Sequence, residues 1–198
     1  MVSSAFKPAV NRFIEPIARL AIRARITPNA VTVGGTLGTA MAAMYFYPRG
    51  DLFIGTLVII FFALSDLFDG AIARLSKTGA SAWGGFLDST CDRVTDSVIL
   101  GSLTIYCILE DLAIYPVIIA TIVFGFLVPF IRAKAEAFGI SCTVGIAERT
   151  ERLIIALTAI GFHGLGVPYI LAVLMWVLLV LSAVTALQRV VVVYRGLA

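Results

Sequence analysis

Six apolar stretches, each near the roughly 20 residues a helix needs to cross a bilayer core, constrain this chain more than any other feature. They fall at about 30–47, 53–73, 84–109, 113–132, 147–164 and 168–189. The breaks between several of them are short and polar: Pro48-Arg49-Gly50-Asp51, Glu110-Asp111 and His163-Gly164-Leu165-Gly166. A water-soluble fold of 198 residues could not hide side chains that are 60% apolar and only 14% charged, whereas lipid accepts them. With no water in the hydrocarbon, each spanning segment must satisfy its own backbone groups, and continuous apolar runs favour helices over a closed barrel. The expected fold is therefore an all-α polytopic membrane protein with six transmembrane helices. Cys91, Cys107 and Cys142 are odd in number and widely spaced, so they read as reduced packing residues without a disulfide frame or zinc spacing.

The segment before the first span has a different character. Residues 5–25 interleave Phe6, Phe13, Ile14, Ile17, Leu20 and Ile22 with Lys7, Arg12, Arg19, Arg23 and Arg25. That pattern predicts a basic amphipathic helix lying on the membrane surface, too charged to be the apolar core of a cleaved signal. Pro28 ends it, and Thr27 or Asn29 can cap the first span. The chain thus divides into a juxtamembrane helix, 1–28, and a six-helix domain, 29–198. Orientation comes from the basic residues. The N-terminal segment, Arg74, Lys77, Arg132, Lys134, Arg149, Arg152, Arg189 and Arg195 all fall on one side of a six-span topology. The other side receives only Arg49, beside Asp51, Glu110 and Asp111. Both termini are expected in the cytoplasm, and no part of this pattern suggests a nucleic-acid partner.

Ionisable residues within membrane segments are costly and point to function by default. Here four carboxylates are concentrated at one end of two spans. Asp66 and Asp69 stand three apart near the end of the second, and Asp88 and Asp92 four apart near the start of the third. Both spacings put the side chains on one helix face. Two helices joined by about ten residues are antiparallel neighbours, so the acidic faces can meet. Four facing carboxylates would repel and protonate unless a cation neutralised them. An all-oxygen donor set favours a hard ion, Mg²⁺ or Mn²⁺, over zinc. A pair of such ions can bridge phosphates and stabilise charge on a leaving phosphate. Gly70, Gly84 and Gly85 flank the acids, and Arg74 lies one turn beyond Gly70. Any one membrane aspartate can be a helix-packing hydrogen-bond partner, but four on matched faces are poorly explained that way. Asp96, one turn past Asp92, can simply pair with Arg93 or sit on a cap.

The pattern Asp66-x-x-Asp69-Gly70-x-x-Ala73-Arg74, continued by Gly84-x-x-x-Asp88-x-x-x-Asp92, resembles the signature of the CDP-alcohol phosphatidyltransferase family at eight positions. One departure lies in the connecting loop, where nine residues rather than eight separate Arg74 from Gly84. The resemblance implies a dimeric six-helix membrane fold in which divalent metals hold the diphosphate of a CDP-linked lipid, usually CDP-diacylglycerol. An alcohol attacks the lipid-bearing phosphorus and CMP leaves. By the same resemblance Asp66, Asp69 and Asp88 are metal ligands, and Asp92 is a ligand that also serves as general base. Two Mg²⁺ ions per site are implied, with Mn²⁺ a substitute. Gly70, Arg74 and Ser81 contact the donor, as does the segment Asn29-Ala30-Val31-Thr32. The location implied is a bacterial inner membrane, with the active site on the cytoplasmic side.

The acceptor must be read from other charges. Arg132 and Lys134 close the fourth span, Arg149 and Arg152 open the fifth, and Arg189 ends the sixth. A cationic cluster suits an acceptor that carries phosphate, although each residue alone could be an ordinary positive-inside charge. The stretches around Arg132–Gly139 and Gly145–Ile154, with Gln188-Arg189, are similar to the actinobacterial phosphatidylinositol-phosphate synthases. That similarity assigns the acceptor phosphate to Arg132, Arg152 and Arg189, with Lys134 and Arg149 weaker candidates. It implies inositol 1-phosphate (1D-myo-inositol 3-phosphate) as acceptor and phosphatidylinositol phosphate as product. Glycerol 3-phosphate, as used by phosphatidylglycerophosphate synthases, is the near alternative. An ion-coupled transporter is the distant one, opposed by acids clustered on one side and by the absence of an inverted repeat. His163 is expected at a turn and away from the acids. Trp83, Tyr45, Tyr47, Tyr115 and Tyr169 are expected as headgroup-level anchors, and the Gly34, Gly35 and Gly38 row can support close helix packing.

Overall fold

The computed structural model describes residues 27–64, 72 and 81–197. Its bounded elements are all helical: α1 (Pro28–Phe46), α2 (Leu52–Ala63), α3 (Ala82–Leu109), α4 (Tyr115–Ala137), α5 (Arg149–Gly164) and α6 (Ile170–Leu197), with a short 3₁₀ turn at Tyr47–Arg49. No strand occurs among the described residues. The expected surface helix over 5–25 lies outside them, as do Asp66, Asp69, Gly70 and Arg74. Each of the six helices begins within two residues of an apolar stretch in the sequence. Two run on beyond their stretches, α4 to Ala137 and α6 to Leu197. Only α4 and α6 among the described residues are long and apolar enough to cross a membrane by themselves. In α3 the charges of Asp88, Asp92, Arg93 and Asp96 interrupt the apolar run, and α5 has only 16 residues.

The chain forms two compact units, Met1–Met41 with Val58–Thr95, and Ala42–Leu57 with Asp96–Ala198. In the first, the ring of Phe62 on α2 occupies the space that a side chain at Gly38 of α1 would need. That glycine is therefore engaged within the chain.

In the second unit α6 packs against both α4 and α5. Its buried residues are Leu171, Met175, Leu178, Ser182, Thr185, Ala186 and Arg189. Spacings of three and four put them on one face. The face is apolar at its N-terminal half and polar at its C-terminal half. Large apolar side chains are exposed on every helix, among them Phe61, Ile105, Phe130, Ile154 and Val180. So many exposed large apolar side chains mark a membrane-associated chain, since a soluble monomer rarely leaves that much apolar surface uncovered. Tyr45, Tyr115, Tyr169 and Trp83 are exposed, but Tyr47 is fully buried. Its hydroxyl bonds that of Thr56 at 3.0 Å, so Tyr47 is a core residue and not an anchor. His163 lies within α5 rather than in a turn, and its Nε2 stands 3.5 Å from the Tyr106 hydroxyl. The three cysteines are buried free thiols.

Candidate active site

The residues expected to contact the donor and lying within the described structure are set by two helix starts in the first unit. Thr27 caps α1: its hydroxyl accepts the Ala30 N–H at 3.2 Å, and its carbonyl accepts the N–H groups of Ala30 and Val31. Pro28 fills the first helical position, where a missing N–H costs nothing. Asn29, Ala30, Val31 and Thr32 consequently form the first turn, with Thr32 buried and its hydroxyl donating to Pro28 O at 3.1 Å. Ser81 does the same for α3, its hydroxyl accepting the Gly84 N–H at 2.9 Å. The two starts lie side by side. A Cβ on Gly84 would stand 3.1 Å from Ser81 Oγ and 3.3 Å from Asn29 Oδ1. The structure thus brings Asn29, Ser81 and Gly84 together, at two helix N-termini whose orphan N–H groups favour anions.

Asp88 and Asp92 come next on α3, one turn apart on one face. Asp88 is exposed; Asp92 is half-buried, with Arg93 Nη2 at 3.7 Å from its Oδ2. No group of three or more His, Cys, Asp or Glu side chains poised for a metal occurs among the described residues. Asp66 and Asp69 lie outside them. Two carboxylates on one helix face nevertheless fit the oxygen donors a hard dication takes. Asp96 lies mid-helix, so it is no cap of α3, and its carboxylate pairs with Arg149 at 3.5 Å. Arg149 opens α5, where a cation faces the positive end of the helix dipole, and the Asp96 carboxylate offsets that charge.

The three arginines expected to hold the acceptor phosphate have unlike settings, all in the second unit. Arg132 is exposed on α4 and bonded to Glu136 at 2.9 Å. Arg152 and Arg189 are buried. Arg189 donates through Nε to Val144 O at 2.9 Å and through Nη1 to Val128 O at 2.7 Å. Arg152 donates through Nη1 to Ala147 O at 3.2 Å. The non-helical segment Val144–Ala147 therefore receives one arginine near each end, Arg189 from α6 and Arg152 from α5. Thr185 secures it as well, its hydroxyl accepting the Ala147 N–H at 3.2 Å while donating to Leu181 O at 2.8 Å. Gly145 within the segment has φ +151° and would, with a Cβ, meet Thr185 Cγ2 at 2.7 Å. Sequence reasoning missed Thr185 and, although it singled out Gly145–Ile154, the non-helical course of Val144–Ala147. The single cue was a glycine between Val144 and Ile146. Charge and burial here suit a phosphate: the arginine planes are fixed by backbone carbonyls before any ligand binds.

Similarity to known proteins covers nearly the whole chain. The sequence pattern of the CDP-alcohol phosphatidyltransferase family matches residues 25–188. The phosphatidylinositol phosphate synthase of Streptomyces avermitilis is 40% identical, the alignment covering 98% of this chain and 83% of that protein. The enzyme of the same name from Corynebacterium glutamicum is 35% identical over 93% of this chain and 85% of its own. The crystal structure of Mycobacterium tuberculosis phosphatidylinositol phosphate synthase with CDP-DAG bound superposes with a TM-score of 0.86 at 37% identity, covering 92% of this chain and 94% of that one. The same enzyme in complex with manganese and citrate gives a TM-score of 0.84 at 38% identity, covering 91% and 88%. By motif, length and fold, this chain belongs to the CDP-alcohol phosphatidyltransferase family.

Proposed function

We propose that this chain transfers the phosphatidyl group of CDP-diacylglycerol to inositol 1-phosphate (1D-myo-inositol 3-phosphate), giving phosphatidylinositol phosphate and CMP. The observation that carries the reading is its similarity, over nearly its whole length, to synthases of that product. In the reaction the acceptor hydroxyl oxygen forms a bond to the lipid-bearing phosphorus. The bond from that phosphorus to the bridging oxygen breaks, and CMP departs with the electron pair. Asp92, half-buried one turn from Asp88, takes the hydroxyl proton, since a carboxylate within hydrogen-bond reach of an attacking hydroxyl is a competent base. Asn29 to Thr32, Gly70, Arg74 and Ser81 hold the donor's nucleotide and diphosphate. Arg132, Arg152 and Arg189 hold the acceptor's phosphate. Asp66, Asp69, Asp88 and Asp92 would hold two divalent ions, Mg²⁺ by preference, which when bound neutralise the diphosphate and the departing CMP.

The same reading makes the protein a homodimer of six-span subunits in a bacterial inner membrane, with both termini and the site facing the cytoplasm. The apolar surfaces of α1 to α6 support the spans. Purified protein in detergent, given CDP-diacylglycerol and Mg²⁺, should release CMP with inositol phosphate and much less with free inositol or glycerol 3-phosphate. A preference for glycerol 3-phosphate would overturn the acceptor assignment. Chelation with EDTA should abolish release, and Mg²⁺ should restore it with a sigmoidal dependence expected of two ions.

A further inference from the structure

Two of the proposed acceptor arginines hold the same four residues, and one neutral side chain locks that arrangement. We infer that Thr185 is a positioning residue for the acceptor-phosphate site, an inference that rests on the proposed function. Thr185 is fully buried and uses both hydrogen-bonding capacities of its hydroxyl. The N–H of Ala147 donates to it, and it donates in turn to Leu181 O, which ties the segment to α6. The carbonyl of that same Ala147 is the acceptor for Arg152 Nη1. Three residues earlier, Val144 O accepts from Arg189 Nε, and Arg189 lies one turn beyond Thr185 on the same helix face. The Thr185 bond therefore sets the separation between the two carbonyls that orient the guanidinium groups. Gly145 completes the device, because only its missing Cβ lets the segment lie against Thr185 Cγ2. Thr185 itself carries no charge and need not touch the acceptor. Its effect is to hold two planar cations in a phosphate-binding pose, sparing the ligand the cost of ordering them.

The test is Thr185→Val, which keeps the shape and removes the hydroxyl, read by CMP release in the full-length protein. The KM for inositol phosphate should rise about three- to tenfold, the effect of one buried hydrogen bond. The KM for CDP-diacylglycerol and kcat should stay at wild-type values, and Thr185→Ser should restore the acceptor KM. A wild-type acceptor KM in Thr185→Val overturns the inference. So does a uniform fall in kcat, or a Thr185→Ser enzyme as impaired as Thr185→Val. If Thr185→Val does not fold, Gly145→Ala, which drives a methyl onto Thr185 Cγ2, must raise the acceptor KM, and an unchanged value refutes the role. Should wild-type protein use glycerol 3-phosphate and not inositol phosphate, the proposed acceptor falls alone, and the same KM split is read on glycerol 3-phosphate. Inactivity with every phosphate acceptor sinks both.

Discussion

Replacing Arg189 by lysine keeps the charge and tests whether geometry or charge matters at the end of α6. In the structure the guanidinium is buried and bridges two elements, with Nε on Val144 O at 2.9 Å and Nη1 on Val128 O at 2.7 Å. A lysine ammonium is a single point with three donors and cannot serve both carbonyls and an incoming phosphate from one position. At least one charge-assisted bond is lost, worth about 1.5–3 kcal/mol. If that loss is felt by the bound acceptor, kcat/KM for inositol phosphate falls about 10- to 150-fold, since about 1.4 kcal/mol is a factor of ten. Steady-state CMP release at saturating CDP-diacylglycerol, with inositol phosphate varied, reads this directly. Thermal unfolding of the same sample separates loss of the site from loss of the fold. A lysine variant with the wild-type acceptor KM would refute the argument, because charge alone would then suffice.

Other perturbations address the remaining parts. Asp92→Asn should retain CDP-diacylglycerol binding, measured by isothermal titration, while turnover disappears; wild-type rates would remove it as the base. Gly84→Ala should raise the donor KM several-fold, because its methyl would stand 3.1–3.3 Å from Ser81 Oγ and Asn29 Oδ1. An unchanged donor KM would show that this crowding is relieved away from the site. Ser81→Ala removes the cap of α3 and should cost about 1 kcal/mol of stability. Ser81→Asp, which keeps a cap, should recover that loss in a thermal melt, and failure to do so would count against the capping role.

The starts of the helices could be read closely from the sequence because each lies within two residues of the start of an apolar run. α3 was expected over 84–109 and spans Ala82–Leu109; α5 was expected over 147–164 and spans Arg149–Gly164. The ends of α4 and α6 were missed for a physical reason. Hydrophobicity marks where lipid stops, whereas a helix continues as long as its residues favour it, and Ala133–Ala137 are good helix formers. Arg152 and Arg189 could be read from the sequence as cations at the ends of apolar stretches. Their frame could not. Val144 O, Val128 O and Ala147 O are backbone groups that every residue carries, so no residue type announces them. Tyr47 shows the converse, since a tyrosine at a span end has the composition of an anchor and only the packing of Thr56 reveals it as core. Asp96 also pairs with Arg149, 53 residues further on, which no local spacing rule could foresee.

The length of α3 has a consequence for the kinetics of the proposed enzyme. Its 28 residues extend about 42 Å at 1.5 Å each, against about 30 Å for the hydrocarbon core. Counting back from Leu109, Asp92 stands about 26 Å away and Asp88 about 32 Å along the axis. On the six-span reading the two carboxylates bracket the boundary between acyl chains and headgroups, the depth at which a phospholipid carries its phosphate. The donor would then be turned over without leaving its leaflet, arriving by lateral diffusion while the acceptor arrives from water. The rate should accordingly follow the mole fraction of CDP-diacylglycerol in mixed micelles and fall when inert detergent dilutes the surface at constant bulk concentration.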